Sequence, residues 1–158
     1  MWAGAVVFGA TALALSRLER SRQEATETNS EREEARIVPM ASDGNCLFRS
    51  LAYPSKNYAA VREHVSEHIR SNWERYQDFV PKESRGEFYR GISESGVWGD
   101  ELTLQAFAEL AEVPVVVYDR TTMERIARYG PATLNLEHGL TPRYVVYDGA
   151  HYEALDFD

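Results

Sequence analysis

Residues 43–50 read DGNCLFRS, and Cys46 within them is the only cysteine in a chain of 158 residues. Gly44 lets the backbone turn tightly or take a positive φ at no steric cost. Leu47, Phe48 and Leu51 then recur at helical spacing, so a helix is expected from Asn45 or Cys46. That places the thiol at a helix N-terminus, where the macrodipole and free backbone N–H groups favour a thiolate. The same N–H groups, from Cys46 and the turn before it, can cradle an oxyanion. A cysteine nucleophile needs both features, and a structural cysteine needs neither.

Working outward, "NYAAVREHVSEHIRSNWERYQDF" carries Val61, Val65, Ile69, Trp73 and Tyr76 at spacings of three and four. The stripe predicts one long helix from about Tyr58 to Phe79. "FYRGISESGVWG" is rich in Gly and Ser and reads as a loop. "DELTLQAFAELAE" reads as a helix capped by Asp100, with Leu102, Ala106, Phe107 and Leu110 facing inward. "VPVVVYD" is a β-branched run expected as a buried strand, with "MERIARYG" as its partner. "RYVVYDGAHYEAL" sets Asp-Gly between two apolar runs, the sign of a hairpin. Helices early and strands late predict an α/β (α+β) fold, a central mixed sheet packed between helices.

A thiol nucleophile needs a base, and four histidines are available: His64, His68, His138 and His151. His151 follows the hairpin signal. Strand side chains alternate, so His151 and Glu153 are expected on one face about 6.6 Å apart, close enough for the carboxylate to orient the imidazole. On spacing alone, an ordinary hairpin histidine is an equal reading. The H-x-x-E-H pattern of His64 to His68 matches a zinc motif, but Glu67 falls opposite the apolar stripe, so no metal site is expected. Arg120, Arg125 and Arg128 read as the solvated face of a hairpin rather than a phosphate site.

Composition bounds the rest. The net charge of -8, from 25 acidic against 17 basic residues, argues against a nucleic-acid binder and suits a basic partner surface. A lone cysteine forms no internal disulfide and is most at home in a reducing compartment, the cytoplasm. Residues 2–15, "WAGAVVFGATALAL", are apolar and uncharged. As a helix they rise about 21 Å, short of the roughly 30 Å hydrocarbon core. A membrane anchor with its C-terminal side held in the cytoplasm by Arg17, Arg20 and Arg22, a cleaved signal, and an extension that does neither all stay open. Residues 17–36 read as a solvated linker, so we divide the chain into 1–36 and a domain over 37–158.

"SDGNCLFRSLA" resembles the nucleophile motif of the ovarian tumour (OTU) family of cysteine proteases, which remove ubiquitin from proteins. "VREHVSEHIRSNWERYQDF" resembles that family's second helix, "SGVWGDELTLQAFAEL" its substrate-side loop and following helix, and "AHYEAL" its closing histidine motif. The similarity covers about Ile37 to Leu155. It implies a papain-like fold and a thiol protease acting on ubiquitin, as a monomer and without metal or cofactor. Cys46 would be the nucleophile and His151 the general base. Asp43, Gly44 and Asn45 would form the turn that builds the oxyanion hole with the Cys46 amide. Trp98 and Gly99 would line the channel for ubiquitin's Gly-Gly terminus, the alternative for Trp98 being core packing. Glu153, the expected orienter, departs from the family's usual Asp or Asn. That departure keeps open an inactive ubiquitin-binding module, and the substrate could equally be another ubiquitin-like modifier.

Overall fold

The computed structural model describes residues 35–131 and 141–157. Chain contacts separate a unit of Arg36–Asp156 from one made of Met1–Ala35 with Phe157–Asp158; the fold below is that of the first. Residues 2–15, on which the anchor reading rests, lie outside the described residues. Among the described residues no helix is long and apolar enough to cross a membrane.

The elements run β1 (Ala35–Val38), α1 (Cys46–Ala52), α2 (Tyr58–Ser71), α3 (Trp73–Tyr76), 3-10 turns at Gln77–Phe79 and Lys82–Ser84, and α4 (Arg85–Gly91). There follow α5 (Glu101–Ala111), β2 (Val115–Asp119), β3 (Arg125–Tyr129), β4 (Arg143–Tyr147) and β5 (Tyr152–Phe157). The sheet order is β1-β5-β4-β2-β3. β2 runs parallel to β4 and antiparallel to β3, and β4 runs antiparallel to β5, so the sheet is mixed as expected. Val115 to Tyr118 are all buried. A strand covered on both faces reads as a continuous apolar run rather than an alternation.

α1 is buried almost all round, with Cys46, Leu47, Phe48, Ser50, Leu51 and Ala52 all inside. A helix apolar on every side belongs at the centre of a domain. Leu47 and Leu51 share one core with Val65 and Ile69 of α2, Leu104 and Phe107 of α5, and Val115 and Val145 of the sheet. Each such side chain contributes about 1.5–3 kcal/mol by leaving water. The candidate nucleophile therefore stands on the best-packed helix of the fold.

Three local expectations are corrected. The long helix from Tyr58 breaks at Asn72, whose side-chain amide donates to the His68 carbonyl at 2.8 Å and ends the helical ladder. Val65, Ile69 and Tyr76 stay buried across the break. Phe88 to Gly91, read as loop, are the last turn of α4, a seven-residue helix too short to show a period. On α5, Ala106 and Phe107 are buried as expected and Leu102 packs against the core, but Leu110 is exposed, and Thr103, Leu104 and Ala108 complete the inward face. The Asp100 cap holds: its carboxylate accepts from Thr103 N at 3.1 Å while Thr103 Oγ1 accepts from Asp100 N at 3.2 Å, a reciprocal capping box.

Candidate active site

The turn before Cys46 is fixed from both sides. Gly44 has φ +78°, and a Cβ there would lie 1.9 Å from the Gly96 carbonyl oxygen. Only glycine fits so close a backbone approach. Asn45 N–H donates to Asp43 Oδ1 at 3.1 Å, and Asp43 Oδ2 accepts from Arg49 at 2.6 Å. That ion pair holds the Asp43 carboxyl below the usual carboxylate range. The Asn45 side chain reaches across to residues 95–96, accepting from Gly96 N at 3.0 Å and donating to Ser95 Oγ at 3.3 Å.

Beneath this turn lies Arg62, 4% exposed and with no carboxylate bonded to it among the described residues. Its guanidinium donates to the carbonyls of Gly44 (3.1 Å), Val97 (2.8 Å) and Ile92 (3.2 Å) and to Asn45 Oδ1 (2.8 Å). Its plane sits 3.8 Å above the Phe48 ring. One buried cation thus ties the nucleophile turn to the 92–97 loop. Sequence reasoning gave Arg62 no role. The signal was present, because Arg62 stands three, four and seven residues before buried Val65, Ser66 and Ile69, inside the apolar face.

Cys46 is 1% exposed and free of any disulfide. Burial pushes its thiol above the ordinary value, while the N–H groups of Tyr152, Leu47 and Cys46 itself pull the other way and lose. Burial thus opposes the stabilisation that the helix N-terminus and these amides offer a thiolate. Because the raised pKa favours the neutral thiol, alkylation of Cys46 by iodoacetamide should keep climbing about tenfold per pH unit above neutrality. A rate that levels off near pH 7 would show a thiolate already present.

Since Tyr152 N–H reaches the sulfur, the residue next to His151 adjoins Cys46. His151 itself lies in the turn, not the strand. Tyr147 pairs with Tyr152, so residues 148–151 form a four-residue connection. Asp148 Oδ1 accepts from the N–H groups of Ala150 (3.0 Å) and His151 (2.8 Å) and holds it in shape. The alternation that would align His151 with Glu153 begins only at Tyr152. The His151 Nε2 lies 3.0 Å from the Met40 carbonyl oxygen, and Nδ1 is buried without a hydrogen-bond partner among the described residues. Glu153 is 6% exposed, and its carboxylate is held by Arg120 Nε. Arg120, read as part of a solvated face, is thus the ion-pair partner of a buried acid.

Trp98 is 54% exposed, which removes the core-packing alternative. A Cβ on Gly99 would lie 2.8 Å from Leu47 Cδ2 and 3.2 Å from Phe48 Cε2, so Gly99 seats its loop on α1. Trp98 and Gly99 line a cleft of about 490 Å³ together with Phe79, Val80, Phe88 and Val97; neither Cys46 nor His151 lines it. In the H-x-x-E-H pattern, His64 is exposed, Glu67 accepts from Ser71, and His68 faces Glu109 at 3.6 Å. Among the described residues no three metal-ligating side chains converge.

A buried thiol at the head of the central helix, and a histidine in the last hairpin next to the Tyr152 that adjoins the thiol, fit the layout of a papain-like thiol hydrolase. Residues 41–152 match the model of the OTU-like cysteine proteases, and the chain belongs to that family. It is 30% identical over 134 residues to the ubiquitin thioesterase otu2 of Schizosaccharomyces pombe, covering 75% of this chain and 44% of the relative. It is 37% identical over 84 residues to ovarian tumor domain-containing deubiquitinating enzyme 10 of Arabidopsis thaliana, covering 51% of this chain and 23% of the relative. The chain thus spans less than half the length of these relatives. Among solved structures, the OTUD1 OTU domain superposes with TM-score 0.63 at 18% identity, over 92% of this chain and 98% of the other. An OTU domain in complex with ubiquitin superposes with TM-score 0.62 at 19% identity, over 77% of this chain and 69% of the other. Both likenesses establish the fold.

Proposed function

We propose that the domain hydrolyses the bond after the C-terminal glycine of ubiquitin by a thiol mechanism, with Cys46 as nucleophile and His151 as base. The observation that carries this reading is the Cys46 thiol beside the Tyr152 amide, next to a histidine whose Nδ1 is buried and without a bonded partner. The names of the relatives support the substrate class. In the first step His151 takes the thiol proton as sulfur bonds to the glycine carbonyl carbon, and backbone amides near Cys46 hold the oxyanion. The C–N bond then breaks, and the departing amine leaves with the proton from His151. Water, deprotonated by His151, attacks the thioester; the carboxylate leaves and the thiol is restored. Every proton is accounted for without a metal or cofactor.

The engagement of Glu153 by Arg120 favours one rival, a module that binds ubiquitin and does not cleave it. Ubiquitin carrying a C-terminal electrophile separates the two. Intact mass should rise by one ubiquitin in the wild type and stay unchanged in Cys46→Ala. Binding without a mass shift would favour the inactive module. Neither binding nor a shift would end the ubiquitin reading and direct the test to other modifiers.

A further inference from the structure

We infer that the main-chain carbonyl of Met40, and not the carboxylate of Glu153, orients His151. This rests on the reading of Cys46 and His151 as nucleophile and base. A carbonyl oxygen can only accept, so its contact with Nε2 at 3.0 Å fixes the neutral ring with the proton on Nε2. The lone pair is then on Nδ1, the buried nitrogen without a partner, which is where a base must keep it. Met40 is suited to the task because its side chain packs against the core and anchors the segment between β1 and α1.

Glu153 is committed elsewhere. It pairs opposite Val146 inside the sheet and is 6% exposed. Arg120, whose own N–H donates to the Tyr147 carbonyl at 3.0 Å, holds its carboxylate. Turning that carboxylate to His151 would separate a buried acid from its cation, a costly exchange. The carbonyl supplies a dipole where an aspartate orienter would supply a full charge, so the imidazolium formed during reaction gains less support here than it would from an aspartate.

The unique cysteine makes a direct test practicable, because Asn45–Cys46 is a natural ligation junction. A synthetic 1–45 thioester in which Ala41 is replaced by its α-hydroxy analogue turns the 40–41 amide into an ester and makes the Met40 carbonyl a poorer acceptor. Joined to residues 46–158 and refolded, it should show kcat lowered about tenfold with KM unchanged against an unmodified ligated control. Glu153→Ala, with its Tm checked, should keep kcat within about threefold, whereas loss of a true third member costs roughly 10⁴. Nitrogen-15 shifts of the histidine ring should report the Nε2–H tautomer in both wild type and Glu153→Ala. An ester with undiminished kcat, a folded Glu153→Ala that loses more than a hundredfold, or an Nδ1–H tautomer would each overturn the inference. A wild type without any hydrolysis would sink the proposed function instead, and the tautomer would still decide the orienter.

Discussion

Replacing His151 by alanine should lower kcat/KM toward a ubiquitin conjugate by a factor of roughly 10²–10⁴, the usual worth of a positioned base. The loss should be chemical and not structural. The turn carrying His151 is shaped by Asp148 through the Ala150 and His151 amides, neither of which involves the imidazole. Among the described residues the ring bonds to the Met40 carbonyl, which lies outside α1. Because burial raises the Cys46 pKa, the thiol relies on a base to ionise it. Initial rates and unfolding curves on the same samples make the comparison. A loss under tenfold, with Cys46→Ala fully inactive, would mean that another group takes the thiol proton.

Arg62→Met should destabilise the domain by roughly 3 kcal/mol and, in addition, slow capture by the ubiquitin electrophile. Removal of the guanidinium leaves the Gly44 and Val97 carbonyls without that donor and takes one of two donors from Asn45 Oδ1 and from the Ile92 carbonyl, which keeps the Ser66 hydroxyl. Each stranded acceptor costs on the order of 1 kcal/mol or more, partly recovered where water can enter. Lysine should not rescue, since a single ammonium cannot span acceptors on two separate loops. Urea unfolding with an unchanged m-value provides the number. A cost below about 1 kcal/mol would show that the 92–97 loop holds the nucleophile turn without Arg62.

The central parts of the fold were legible because their signals are local. The Leu47, Phe48 and Leu51 spacing after Asp-Gly-Asn, a valine run at residues 115–117 and a capped helix at Asp100 each announce themselves within a few residues. What escaped depends on a distant partner or a small count. Asn72 breaks a helix whose apolar stripe continues past it, so periodicity alone joins α2 to α3. The Asp-Gly signal located the hairpin correctly, but a four-residue connection put His151 outside the strand. That one displacement removed the basis for aligning His151 with Glu153. The contacts of Met40 with His151 and of Arg120 with Glu153 span 111 and 33 positions in sequence, and no spacing rule reaches them.

The sheet order has a consequence for how the protein comes into being. β5, one of the last elements in the chain, lies between β1, the first described strand, and β4. During N-to-C synthesis at about 5–20 residues per second, a nascent chain therefore has the helix bearing Cys46 well before the strand that completes the sheet. His151 arrives with that same strand. Until it emerges, the thiol lacks the Tyr152 amide and the base proposed for it, so on that proposal chemical competence and closure of the sheet are acquired together.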